Sequence, residues 1–179
     1  MHFESMVGEA GGAVIVGHRE DDVVVEVQAR HGQALFGYAR RLGLSDEQAA
    51  DAVQDALLRL WRQLRSEDLQ QPSAWAFRAV HHLAMDQHRI RRRIEALAGV
   101  LRQVVSPPAP EASDRIAVWS EVDRLPARQR QVLYLRYRAD LPFEDVAAAL
   151  GITAGAARSH ASRGLEELRA RFAGDEGGR

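Results

Sequence analysis

Three prolines within four residues, in Ser106-Pro107-Pro108-Ala109-Pro110-Glu111, divide this chain. Each proline removes a backbone donor and disfavours the α region for the residue before it, so no helix runs through the stretch. It reads as an extended, semi-rigid linker. The 179 residues, 46% of them hydrophobic, suffice for one medium domain or two small ones, and the break selects two. No internal repeat is present.

Helical periodicity dominates on both sides, and β signals are weak. The one β-branched run, Val23-Val24-Val25, continues into a helical pattern. Further on, Val53, Leu57, Leu60, Trp61 and Leu64 recur at helical spacing, which predicts an amphipathic helix with these residues as its core stripe. Ser45 is its candidate N-cap, and Asp46 and Glu47 stand where the helix dipole favours acids. The opposite face carries Asp51, Gln54, Asp55, Leu58 and Arg62. An apolar residue centred in a polar stripe is either an ordinary exposed Leu or part of a surface that docks a basic, partly apolar partner helix. Pro72 and Ser73 open a third helix, which runs through Trp75, Phe77, Val80, Leu83 and Met85 to Arg89, Arg91, Arg92 and Arg93. Aromatic side chains beside an arginine cluster suit unstacked bases and phosphates. At least one of Trp75 and Phe77 is expected in the core, and arginines at a helix end also answer its dipole.

Charge follows the same division. The formal charge is −1, yet residues 29–93 carry eleven Arg against seven acids and residues 124–173 carry nine against five. Residues 1–28 hold one Arg against six acids, and residues 94–123 two against five. Two basic blocks between acidic connectors suit modules that sit on phosphates, or two solvated Arg-rich helical domains. The chain has no Lys, no Asn and no Cys. That excludes a thiol nucleophile, a Cys-ligated metal site and a disulfide framework, and also a P-loop and Schiff-base chemistry. Ala13-Val14-Ile15-Val16 is too short an apolar run for a membrane helix or signal segment, so a soluble, intracellular chain is expected.

Beyond the linker, Ile116, Trp119 and Val122 mark a short helix. Pro126 starts another at a permitted first-turn position, carrying Val132, Leu133 and Tyr137. Phe143, Val146, Ala147 and Leu150 then share one helical face, Gly151 breaks the helix, Ile152 packs inward and Thr153 caps the next. Helix, Gly-containing turn, helix is the punctuation of a helix-turn-helix. The last helix is expected to bury Ala157, Ala161, Leu165, Leu168 and Phe172. Its other face presents Arg158, Ser159, Ser162 and Arg163 near the N-terminal end, where a recognition helix meets base edges and phosphates.

These segments resemble a known family. Asp51-Ala52-Val53-Gln54-Asp55-Ala56-Leu57-Leu58-Arg59-Leu60-Trp61 and Ala74-Trp75-Ala76-Phe77-Arg78-Ala79-Val80-His81-His82-Leu83-Ala84-Met85-Asp86 resemble region 2 of the extracytoplasmic-function sigma factors of the bacterial sigma-70 family. The segment from Leu125-Pro126-Ala127-Arg128-Gln129-Arg130 through Arg158-Ser159-His160-Ala161-Ser162-Arg163 to Leu168-Arg169 resembles their region 4. The resemblance implies an all-α chain of two small helical domains. An N-terminal extension would cover 1–21, region 2 22–93, a linker 94–112, region 4 113–173 and a tail 174–179. It also implies a cytoplasmic transcription initiation factor, not an enzyme, with no catalytic residue, metal, cofactor or membrane insertion. Its partners would be core RNA polymerase, through the β′ clamp helices and the β flap, promoter DNA, and an anti-sigma factor.

Carried onto this chain, Asp51, Gln54, Asp55, Leu58 and Arg62 become the polymerase-docking face. Trp75, Arg78, His82, Arg89, Arg91, Arg92 and Arg93 become contacts to the melted −10 element, with residues 65–73 as the loop that receives a flipped base. Arg158, Ser159, His160, Ser162 and Arg163 become the −35 contacts, and the linker would thread into the polymerase cleft. The chain departs from the family pattern at His82, where Asn is common. It departs again at Ala156, Ala157 and His160, where Thr, a larger aliphatic residue and Arg are usual, so fewer −35 contacts are expected.

Two other classes of function compete. A stand-alone helix-turn-helix regulator on operator DNA explains residues 113–173 but leaves the first domain without a task. A metal enzyme could use His82 and Asp86 at i, i+4, yet no third ligand is near. His81 and His88, seven residues apart, lie about 10 Å apart along a helix, too far to share one ion.

Overall fold

The computed structural model describes residues 19–97 and 117–176. The proline-rich linker, the first eighteen residues, and the expected domain start near Ser113 with Ile116 lie outside the described residues. Those described are all-helical: α1 (Arg19–Arg41), α2 (Asp46–Leu64), α3 (Pro72–Leu97), α4 (Ala117–Asp123), α5 (Ala127–Leu133) running into a π-helical turn (Tyr134–Arg138), α6 (Phe143–Leu150) and α7 (Ala154–Glu176). Helix continues a few residues past both expected limits of the first domain.

In the first unit α1, α2 and α3 pack pairwise. The Ser45 hydroxyl accepts from the Gln48 backbone N–H at 3.2 Å while Gln48 Oε1 accepts from the Ser45 N–H at 3.1 Å, a reciprocal capping box that starts α2. The core stripe of α2 is shifted from the expected one. Ala49, Ala52, Val53, Ala56 and Leu60 are buried, whereas Leu57, Trp61 and Leu64 are only half-buried. Alanines face inward because small side chains let α2 approach both neighbours, and the larger residues fill the margins. Phe77 is the core aromatic, edge-on to Tyr38 and His31, and Trp75 is half-buried.

In the second unit Gly151 takes φ +65°, a left-handed conformation suited to glycine, and closes α6. Thr153 Oγ1 then accepts from the Ala156 N–H at 3.1 Å and starts α7. Two expectations are corrected: Leu165 is only half-buried, and Phe172 is 38% exposed rather than buried, so the inward face of α7 closes at Leu168. Tyr137 is exposed, whereas Val132, Leu133, Tyr134 and Leu135 are all buried. The helix closes in a π-helical turn: the Ala139 N–H reaches back to the Tyr134 carbonyl at 3.1 Å, one residue further than an α-helix allows. Residues beyond Leu133 therefore leave the face that α-helical spacing assigns them. Asp140 follows at φ +54°.

The two units share one core. α6 lies along α3, and the π turn meets α1. Tyr134 stacks on Tyr38 with ring centroids 5.9 Å apart, and its hydroxyl donates to the Ala34 carbonyl at 3.1 Å. The Arg41 guanidinium covers Tyr134 at 4.7 Å and Trp119 at 5.7 Å. Its Nε lies 3.3 Å from Asp123 Oδ1, an ion pair off the line a hydrogen bond needs. Tyr38 also shares a 3.1 Å hydrogen bond with His81 Nδ1. Burial, above the smaller effects of Arg128 and His82, holds the His81 imidazole below its ordinary range.

Candidate nucleic-acid and partner interfaces

Three surfaces gather the residues singled out in the sequence. The first is the side of α2 turned away from α1 and α3. Asp51, Gln54 and Arg62 are exposed there around Leu58, whose surface is 56% accessible. Asp55 is half-buried beneath Arg59, which grips its two oxygens at 2.8 and 3.1 Å. The result is an acidic and polar ring around one accessible leucine. Arg59, which the sequence pattern did not single out, neutralises part of it.

The second surface follows α3. Trp75, Arg78 and His82 form one row at i, i+3 and i+7, with Trp75 half-buried and the other two exposed. The arginine cluster is separate, since Trp75 and Arg93 are about 27 Å apart along the helix axis. There Arg89 pairs with Asp86 at 3.3 Å, Arg91 is half-buried, and Arg92 and Arg93 are exposed. Ala148 of α6 reaches a shallow depression that Trp75 and Arg78 line, so the second unit borders this row. Near the loop after α2, a cleft of about 440 Å³ opens between Arg19 and Val23 of α1 and Leu64, Arg65, Glu67 and Leu69. Trp61 ties α2 to α1: its indole N–H donates to Asp21 at 2.7 Å, and the Arg65 guanidinium lies 4.8 Å over its ring. The sequence placed residues 65–73 here, but not the start of α1 that faces them.

The third surface is the start of α7. Arg158 and Arg163 are exposed and His160 is half-buried. The serine hydroxyls are engaged on their own helix, Ser159 with the Gly155 carbonyl at 3.0 Å and Ser162 with Glu166 at 2.9 Å. Arg158 Nη1 donates to Glu144 at 3.1 Å, a partner absent from the sequence reading. Glu144 is held below the ordinary carboxylate range by its own backbone N–H in the first turn of α6, then by Arg158. Among the described residues no three His, Asp or Glu side chains gather as a metal site requires, and no helix is long and apolar enough to cross a membrane.

Comparison with known proteins finds two family matches in chain order, "Sigma-70 region 2" over residues 28–94 and "Sigma-70, region 4" over residues 122–170. The chain is 31% identical over 138 residues to the RNA polymerase sigma-E factor of Streptomyces coelicolor, covering 76% of this chain and 78% of that protein. It is 27% identical over 146 residues to the ECF RNA polymerase sigma factor SigL of Mycobacterium tuberculosis, covering 78% and 82%. Its fold is similar to that of the sigma factor RpoE of Bartonella quintana, crystallised with the anti-sigma factor NepR. That TM-score is 0.62 at 27% identity, covering 83% of this chain and 93% of the other.

Proposed function

The chain belongs to the sigma-70 family as an extracytoplasmic-function sigma factor, and from that premise we propose how its surfaces divide the work of starting transcription. It directs core RNA polymerase to promoters. It does so by binding rather than by catalysis, in the cytoplasm. Residues 22–93 serve as the unit for the polymerase and the −10 element, and residues 113–173 as the unit for the −35 element. Residues 94–112 link them, and an anti-sigma factor is a further partner.

The observation that carries this reading is the pair of region matches, in order, on two units whose exposed faces suit two different tasks. Asp51, Gln54, Asp55, Leu58 and Arg62 present an acidic rim and an apolar centre to the polymerase clamp helices. Trp75, Arg78 and His82 face unstacked −10 bases, and Arg89, Arg91, Arg92 and Arg93 hold the phosphates beyond them. On α7, Arg158 reads a base edge, Ser159, His160 and Ser162 neighbour it, and Arg163 holds phosphate.

Geometry adds a requirement. Elements about 25 base pairs apart are separated by about 85 Å of duplex, whereas a packed chain of this length is only about 40 Å across. Engaging both at once therefore requires the contact between α3 and α6 to open.

Run-off transcription with core polymerase on a promoter library tests the function. Promoter-specific transcripts that need both chain and core are expected. Specific duplex binding by the chain alone, with no stimulation of core polymerase, would favour the stand-alone regulator instead. A panel of −35 variants separates the two arginines. Arg158→Ala relaxes preference at one base pair, whereas Arg163→Ala lowers activity on all variants alike and flattens the salt dependence.

A further inference from the structure

Arg158 carries two constraints that base reading alone does not require. Its Nη1 donates to Glu144 Oε1 at 3.1 Å on the preceding helix, and its guanidinium carbon lies 6.0 Å from the centre of the Phe143 ring. Arg136 lies 5.6 Å from the same ring. Arg136 is itself tied to Asp140 at 3.3 Å and to the Leu141 carbonyl at 3.4 Å. The row Arg136, Phe143, Arg158, Glu144 thus bridges the π turn, α6 and α7 across the whole helix-turn-helix.

Stability does not account for the acid in this row. Arg158 and Glu144 have side chains 56% and 62% exposed, and such surface pairs contribute little. A carboxylate beside a phosphate-binding surface is also repelled by the duplex. Orientation is the task left. The guanidinium offers five N–H donors in one plane on three nitrogens, and Glu144 engages only Nη1. A second edge remains for the two parallel bonds that a guanine accepts. One bond to Glu144 fixes rotation within the plane, and the Phe143 ring limits its tilt.

We propose that Glu144 and Phe143 are positioning residues for −35 recognition, acting through Arg158 by presenting its remaining edge to one base pair. The inference rests on the reading of Arg158 as the base reader, and the test separates the two. Full-length variants are assayed with core polymerase on promoters that each carry one −35 substitution, after circular dichroism confirms unchanged helicity.

Arg158→Ala is expected to erase a preference of about 5- to 150-fold at one base pair. Glu144→Gln should reduce preference at that same base pair by about threefold or more. Phe143→Leu should do likewise, and Phe143→Tyr, which keeps the ring, should retain it. In the Arg158→Ala background, Glu144→Gln should change nothing further. Additive effects, a shift at a different base pair, or an equal loss on every promoter would overturn the positioning role. If Arg158→Ala relaxes the preference and Glu144→Gln leaves it intact, the positioning role alone fails. Should Arg158→Ala leave every preference intact, base reading by Arg158 fails and takes this inference with it.

Discussion

A single methyl group at Gly37 probes the contact between the two units. Gly37 lies inside α1, where alanine is ordinarily favoured over glycine by about 1 kcal/mol. In the packed chain that methyl would run into the Tyr134 hydroxyl, with the ring carbon bearing it 3.5 Å away. Tyr134 has nowhere to retreat: it stacks on Tyr38, lies under Arg41 and donates to the Ala34 carbonyl. Overpacking costs about 1–3 kcal/mol, and the displaced hydroxyl forfeits about 1 kcal/mol of hydrogen bonding. Against the helical gain, Gly37→Ala should destabilise the chain by about 2 kcal/mol. Tyr134→Phe alone should cost about 1 kcal/mol. Combined, the new methyl meets a ring carbon at ordinary contact distance and the helical gain survives, so the double variant should lie near wild type. Additivity would give a loss of about 3 kcal/mol, and the shortfall is the coupling. Calorimetry of the full chain reads this directly, at about 2–4 °C per kcal/mol for a chain of this size. A Gly37→Ala melting point above wild type, or a double variant equal to the sum of the singles, would show that the packed contact is not formed in solution.

Leu58→Arg should abolish co-purification with core polymerase at unchanged helicity, because Leu58 is the apolar centre of the α2 face; undiminished co-purification would count against that face. Ser45→Ala should lower the urea midpoint by the equivalent of about 1 kcal/mol through loss of the capping box, while polymerase binding persists. His31 and His81 are both held below the ordinary histidine value of 6.5, in each case by burial first. The unfolded chain therefore takes up protons before the folded one: stability should be level above about pH 6.5 and decline as pH falls below it, with His81→Gln flattening the decline. Stability that rises on acidification through this window would refute the assignment.

Periodicity and punctuation made most of the fold legible. Ser45, Pro72, Gly151 and Thr153 each mark a boundary through chemistry local to a few residues, and each stands at one in the structure. The stripe of α2 was misjudged because hydrophobicity ranks Leu and Trp above Ala, whereas tight packing on two neighbours favours the small side chain. The burial of Tyr134 went unread because a π turn leaves no compositional trace. The contact partners of the candidate sites were the least legible part. Glu144 lies fourteen residues from Arg158 and Asp21 forty from Trp61, and no local pattern joins such pairs. Arg41 and Asp123 meet across the two units, and nothing local in the sequence pairs them.

The π turn has a further consequence for how this chain tolerates change in length. A turn with one residue more than an α-helix needs amounts to a stored insertion between Tyr134 and Arg138. Deleting one residue there restores the α-helical pitch without breaking the helix. The flanking segments then keep their faces, because the wider turn had already absorbed the extra residue. Tyr134 can stay against Ala34 while α6 stays along α3. The same loss in the middle of α3 would instead turn everything beyond it by about 100°, so the shared core tolerates a lost codon in one helix and not in the other.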